Sequence, residues 1–202
     1  MQNLMSDIIL ASKSQVRAQL LTNAGIKFTV RTLQIDERAV EESLGSDTMP
    51  PHDIAEILAI AKAEPVSAAS PSDLVIGADQ TLSFENHLLH KPEDMESARR
   101  RLLAMSGKPH ELHSAICIVH DGSVLWSHVE TATILFRELS PQFIGRYLAA
   151  TGDSILSSVG AYQIEGLGLQ LIERMEGDIF TIMGLPMLAL LKQLRHLEAI
   201  ES

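Results

Sequence analysis

Apolar positions change their period from one segment of this chain to the next. Unbroken runs at residues 7–11 ("DIILA") and 73–78 ("DLVIGA") predict short buried strands, the second ending on the acid Asp79. "SQVRAQLLTNAG" instead spaces its apolar residues as one face of a helix, with Ser14 as N-cap and Gly25 just past the end. "FTVRTLQI" predicts a strand, and "DERAVEES" and "PHDIAEILAIAKAEPV" predict helices, the latter with a stripe through Ile54, Ile57, Leu58 and Ala61. "PEDMESARRRLLAMSG" predicts a helix started by Pro92 and stopped by Gly107. Residues 110–139 predict a hairpin of two long strands turning at Asp121-Gly122. "SPQFIGRYLAAT" predicts a helix, "GLQLIERMEG" a strand and "LPMLALLKQLRHLEAI" a closing helix. Strands alternating with helices in this way predict an α/β fold: a twisted mixed sheet flanked by helices, in two lobes with a central cleft, with residues 1–202 as a single domain.

Charge narrows the partners. With 26 acidic against 16 basic residues the formal net charge is -10, a field that repels a nucleic-acid backbone. A small nucleotide stays open, because a few placed cations or a divalent metal reverse the sign locally. The single cysteine, Cys117, cannot form an internal disulfide and lies in the apolar run "AICIV", which predicts an inert buried thiol in a reducing compartment. No signal-type start and no apolar stretch near the ~20 residues of a membrane span are present, so the expected location is cytoplasmic, with no membrane partner.

Three segments could carry chemistry. In "ILASKSQVR" a strand runs into a small-residue turn that opens a helix, whose N-terminal N–H groups, with Ser12, Lys13, Ser14 and Arg17, suit a phosphate; a capped surface helix has the same pattern. Asp79, with Lys91 and Pro92 downstream, could hold Mg²⁺ or take a proton from water, or could simply form a turn. Asp36 and Glu37 follow the strand "VRTLQI" and could bring a second acid to the same sheet edge, or serve the dipole of the helix they begin. In "SVGAYQIEGLG", Gly160, Gly166 and Gly168 surround Tyr162 and Glu165; glycines permit close approach to a flat ligand, although the spacing is not that of a dinucleotide fingerprint. "HELH" has no zinc-ligand spacing and reads as a strand with exposed polar positions, and the acid-rich stretch from Asp36 to Asp47 reads as a solvated helix face.

Taken in order, "ILASKSQVRAQLLTNAGIKF", "IDE", "AKA", "GADQTL", "HKP", "SGKPHE" and "GAYQIEGLGLQLIERMEGDIFTIMGLP" resemble the motifs of the Maf family of nucleoside triphosphate pyrophosphatases over nearly the whole chain. The resemblance implies a Maf/inosine triphosphate pyrophosphatase-like fold and cleavage between the α and β phosphates, giving monophosphate and pyrophosphate. It implies Asp79 as the catalytic acid, acting as general base or metal anchor, and Ser12, Ser14, Arg17, Lys62 and Lys91 on the phosphate chain. Glu37 would help Asp79 hold a divalent metal cation, Mg or Mn. Cations, N–H donors and the metal each neutralise charge on the transferring phosphoryl oxygens.

This chain departs from the family signature at three places. Gln15, Val16 and Arg17 stand for Pro-Arg-Arg, Gln80 for a Thr and Glu165 for a Gln. Val16, Gln80 and Glu165 are the positions at which the branches differ in base preference. Guanine presents two adjacent N–H donors that a carboxylate accepts together, whereas uracil and thymine present one donor flanked by carbonyls. A buried Glu165 would repel those carbonyls and favour a positively charged methylated guanine, so the resemblance points to the 7-methyl-GTP branch. Val16 departs from the aromatic ring usual there. The alternatives are a dTTP/UTP pyrophosphatase of the same family, or a non-catalytic nucleotide-binding regulator of cell division. A homodimer is compatible with the sequence, though no segment specifies an interface.

Overall fold

The computed structural model describes residues 7–45 and 49–201. Asp47, the end of the acid-rich stretch, and the first six residues lie outside them. Among the described residues seven strands form one mixed sheet: β1 (Ile8–Leu10), β2 (Thr29–Val30), β3 (Leu74–Phe84), β4 (His87–Leu89), β5 (Pro109–His120), β6 (Ser123–Phe136) and β7 (Ile172–Glu176). Their order is β2-β1-β3-β5-β6-β7, with β4 paired to β3. The helices are α1 (Gln15–Asn23), α2 (Glu37–Leu44), α3 (Pro51–Ala68), α4 (Met95–Met105), α5 (Pro141–Thr151), α6 (Ile179–Ile182) and α7 (Met187–His196). The fold is α/β, and the chain divides into two compact units. One holds residues up to Gln80, His113–Glu130 and the residues from Asp178 on; the other holds Thr81–Leu112 and Thr131–Gly177. No helix among the described residues is long and apolar enough to cross a membrane.

The first unit has a layer of helix on each face of its strands. β1 pairs in parallel with β2 and β3, Leu10 lying opposite Ile76. Side chains alternate across a strand. Ile8, Leu10, Leu74, Ile76, Ile116 and Ile118 accordingly join a core with Leu20 and Leu21 of α1 and Leu190 and Leu194 of α7. Ile9, Val75, Ala115, Cys117 and Val119 pack on the other side against Ala55, Ala59 and Ala63 of α3. The face of α3 on these strands is thus made of alanines; of the expected stripe, Ile54 and Leu58 are buried, while Ile57 and Ala61 are only half-buried. Alanines suffice because the facing strand position is Gly77, where a Cβ would collide with the Ala59 carbonyl and lie 2.7 Å from Cys117 Sγ. Cys117 is the inert thiol its surroundings suggest: burial pushes it up to about 12.

In the second unit β3 continues past Asp79, so the expectation that this acid ends its strand is overturned. Leu82, Ser83 and Phe84 pair antiparallel with β4 across a turn in which Glu85 and Asn86 both have positive φ. That extra partner keeps the backbone extended for five residues beyond the acid. Pro92 does not start α4. Asp94 does, because its side chain accepts from Ser97 N at 2.7 Å while Ser97 Oγ accepts from Asp94 N at 3.0 Å, a capping box. β2 shrinks to two residues, since its only partner is the three-residue β1 and its side chains are exposed. "HELH" is also not an exposed polar segment: His110 and His113 are buried. His110 packs edge-on against Phe136 and Tyr162 at ring separations of 4.8 and 5.5 Å, a cluster that offsets the burial of its polar ring.

Candidate active site

Strand alternation on β3 decides which neighbours the central residues meet. Val75 and Gly77 face α3, and Asp79, two residues on, reaches Lys62 of that helix. Lys62 Nζ ion-pairs with Asp79 and lies 2.9 Å from Glu37 Oε1, so one ammonium joins both acids. Glu37 opens α2, whose N-cap Asp36 accepts from Ala39 N at 3.0 Å. Asp79 is 8% exposed, while the side chain of Glu37 is half exposed. Two carboxylates sharing one cation at a solvent edge form an arrangement that a hard divalent ion can also use.

Arg17 completes the cluster from α1. Its Nε donates to Gly184 O at 2.7 Å, and its Nη1 donates to Ala78 O at 2.7 Å and to Ser12 Oγ at 3.1 Å. Burial lowers its pKa from the ordinary arginine value, and the charges of Asp79 and Glu37 act in the opposite direction. Ser12 Oγ also accepts from Ser14 N at 3.3 Å, and Ser14 Oγ caps α1 through Arg17 N at 3.4 Å. The expected phosphate corner is therefore a bonded turn braced by Arg17. Val16 sits half-buried in the first turn of α1.

Gln80 points to the opposite face of β3 from Asp79. Its Nε2 donates to Ser114 Oγ at 2.9 Å and to the carbonyls of Thr181 and Ile182, both at 3.1 Å. Ser114 Oγ donates to Thr181 O at 2.7 Å, and Thr181 Oγ1 donates to Glu130 Oε2 at 2.9 Å. None of Ser114, Thr181 and Glu130 stands out in the sequence. The one available signal is that Ser114 interrupts the apolar face that continues at Ile116 and Ile118.

The first unit thus brings Ser12, Ser14, Arg17, Glu37, Lys62, Asp79 and Gln80 together. Lys91 and Glu165 belong to the second unit, and both are exposed. Glu165 is therefore not the buried acid the sequence suggested. Within that unit Arg101 of α4, another residue the sequence did not single out, donates from Nη1 to the carbonyls of His90 and Val159. It ties the residue before Lys91 to the loop that leads to Glu165. In that loop Ser158 Oγ donates to Tyr162 O at 2.6 Å, and Gly168 N donates to Gln163 O at 3.1 Å. A Cβ on Gly168 would strike the Gln163 carbonyl, which explains one glycine of the segment.

Known proteins share this chain almost end to end. Residues 7–197 match the family described as Maf-like protein. The chain is 53% identical over 195 residues to the 7-methyl-GTP pyrophosphatase of Brucella suis, covering 96% of this chain and 98% of that protein. It is 54% identical over 195 residues to the 7-methyl-GTP pyrophosphatase of Mesorhizobium japonicum, with the same coverage. To the nucleoside triphosphate pyrophosphatase of Paramagnetospirillum magneticum it is 49% identical over 188 residues, 93% of this chain and 97% of that one. With a family match over nearly all described residues and relatives about half identical along their full length, this chain belongs to the Maf family.

Proposed function

We propose that this protein hydrolyses 7-methyl-GTP between its α and β phosphates, releasing the monophosphate and pyrophosphate. The observation that carries the reading is the likeness to relatives named 7-methyl-GTP pyrophosphatase over 96% of the chain. The cluster around Asp79 supports the chemistry.

Asp79 acts as general base: it takes the proton of a water whose oxygen attacks the α-phosphorus, while the bond from that phosphorus to the bridging oxygen breaks and pyrophosphate leaves. Its partner on α3, Lys62, carries positive charge to the edge where the phosphate chain arrives, against a chain whose formal net charge is -10. Arg17 adds charge and shape. With Nε and Nη1 committed to Gly184, Ala78 and Ser12, Nη2 is the nitrogen outside these bonds and the one to meet a phosphate oxygen. Ser12 and Ser14 hold the turn at the start of α1, whose N–H groups and dipole favour the same anion. Gln80 reads the base, and Val16, in the first turn of α1, borders it.

The chemistry of the donor set fits a divalent ion, because Glu37 and Asp79 already reach one common cation. When bound there, Mg²⁺ or Mn²⁺ would neutralise charge on the phosphoryl oxygens.

The test is a panel of 7-methyl-GTP, GTP, dTTP and UTP with Mg²⁺ or Mn²⁺, reading pyrophosphate and orthophosphate separately. Pyrophosphate from 7-methyl-GTP ahead of the pyrimidines is the expected result. A preference for dTTP and UTP would reject the base and keep the bond cleaved. Thermal stabilisation by nucleotide without release of pyrophosphate would reject hydrolysis.

A further inference from the structure

An amide side chain can donate and accept, and that versatility suits a pyrimidine edge. The surroundings of Gln80 remove half of it. Its nitrogen has two hydrogens and three acceptors within 3.1 Å: Ser114 Oγ, Thr181 O and Ile182 O. Two of these are backbone carbonyls, which only accept, so the amide cannot be turned over to place its oxygen there without opposing two carbonyl oxygens. Both hydrogens are engaged inside the protein. The oxygen is turned to the other side, near Gly184. A Cβ on that glycine would lie 3.6 Å from Gln80 Oε1 and 3.5 Å from Arg17 Nε and Nη2, so the amide oxygen and the guanidinium flank the same point.

We infer that Ser114, with the carbonyls of Thr181 and Ile182, makes Gln80 an acceptor-only reader of the base, and that Ser114 is thereby a positioning residue for specificity. The inference rests on the reading of Gln80 as a base contact proposed above. The clamp is itself anchored, because Thr181 bonds Glu130 through its hydroxyl and accepts from Ser114 through its carbonyl. A carbonyl presented alone matches the adjacent N1–H and N2–H donors of a guanine. Against uracil or thymine it meets one N–H between two carbonyl oxygens, both of which oppose it. The Thr expected at this position in the family could not be held in the same way, since a hydroxyl rotates to suit either edge.

Two variants and one spectroscopic measurement test this. Ser114→Ala should lower the preference for 7-methyl-GTP over dTTP by roughly tenfold, the size of one hydrogen bond, through KM and with kcat for 7-methyl-GTP within about twofold. Gln80→Leu, which keeps the volume and removes the amide, should lower the preference at least as far. In wild-type protein labelled with ¹⁵N-glutamine, the Gln80 amide protons, assigned by their loss in Gln80→Leu, should exchange with water more slowly than those of exposed glutamines. Ser114→Ala should speed that exchange. An unchanged preference in folded Ser114→Ala, judged by its melting temperature, would overturn the inference. So would Gln80 protons exchanging like those of an exposed side chain. If wild-type enzyme prefers dTTP while those protons exchange slowly, the clamp exists but does not select guanine, and the inference falls together with the base assignment. If it prefers 7-methyl-GTP and the variants keep that preference, only the inference falls.

Discussion

Asp79 and His110 are both buried polar side chains on long strands, at 8% and 2% exposure, yet they are surrounded in opposite ways. Asp79 is paired to Lys62, which also holds Glu37, and the charge of Arg17 acts on the same group of residues. His110 has two aromatic rings and one neutral hydrogen bond, Nε2 to the Tyr162 hydroxyl at 2.8 Å, and burial holds its pKa down to about 3. A buried ionic cluster is weak support for stability, because apolar residues of the same shape would avoid the cost of stripping water from the charges. A neutral ring packed among aromatics has no such cost once it stays uncharged. On the function proposed above, the difference separates a cluster placed for chemistry from one that serves packing, and each side can be attacked.

The largest effect should come from Asp79→Asn, which keeps the shape and removes the base. Pyrophosphate release should fall by about 10³-fold, while the melting temperature moves by only a few degrees. A large loss of melting temperature would put Asp79 with the packing residues instead. Next is Arg17→Met. It removes the donor to the carbonyls of Ala78 and Gly184, leaves the Ser12 hydroxyl only its bond from Ser14 N, and should cost about 3 kcal/mol in urea unfolding. Arg17→Lys returns the charge without the fork, and should recover less than half of that stability.

How much of this could be read beforehand differs between the two clusters. The order of strands and helices was legible because apolar runs and helical stripes differ in period, and the caps at Ser14 and Asp36 follow from residue type. Arg17, Asp79 and Glu37 were legible singly, each beside a plain structural alternative, whereas Lys62 was legible only through the motifs. No spacing rule reports that Lys62 would lie between two acids drawn from α2 and β3. On α3 the stripe was right at Ile54 and Leu58 and missed Ala55, Ala59 and Ala63, because helical periodicity favours large residues while the partner glycine on β3 makes small ones the better fit. His110 was misread as exposed, since histidine is intermediate in its burial habit and its neighbours Phe136 and Tyr162 are remote in sequence. The β4 hairpin was missed because Glu85-Asn86 is a weak turn signal, although both residues adopt positive φ.

On the packing side, acid should act through His110. Burial lowers its pKa from 6.5 to about 3, so between those values the unfolded chain binds a proton that the folded chain does not. Stability from this group is complete above pH 6.5 and is lost as the pH falls toward 3, at up to about 1.4 kcal/mol per pH unit. Urea unfolding of His110→Gln should therefore show a pH dependence between 6.5 and 5 that is shallower than that of the wild type by about 2 kcal/mol in total. An unchanged slope would mean that the ring charges without leaving its site.

The smallest expected effect is that of Tyr162→Phe. The substitution keeps the edge-on contact with Phe136, at 5.1 Å between rings, and removes the hydroxyl that meets His110 Nε2. His110 Nδ1 already lacks a partner, so the variant leaves a buried imidazole with neither nitrogen bonded. The cost should be about 1 kcal/mol, because one neutral hydrogen bond is lost while the rings stay packed. Turnover at saturating nucleotide should be unchanged. Loss of turnover comparable to that of Asp79→Asn, in a folded Tyr162→Phe protein, would move the aromatic cluster into the chemistry and remove the distinction between the two. Unchanged turnover with reduced stability would keep the aromatic cluster on the packing side of the comparison.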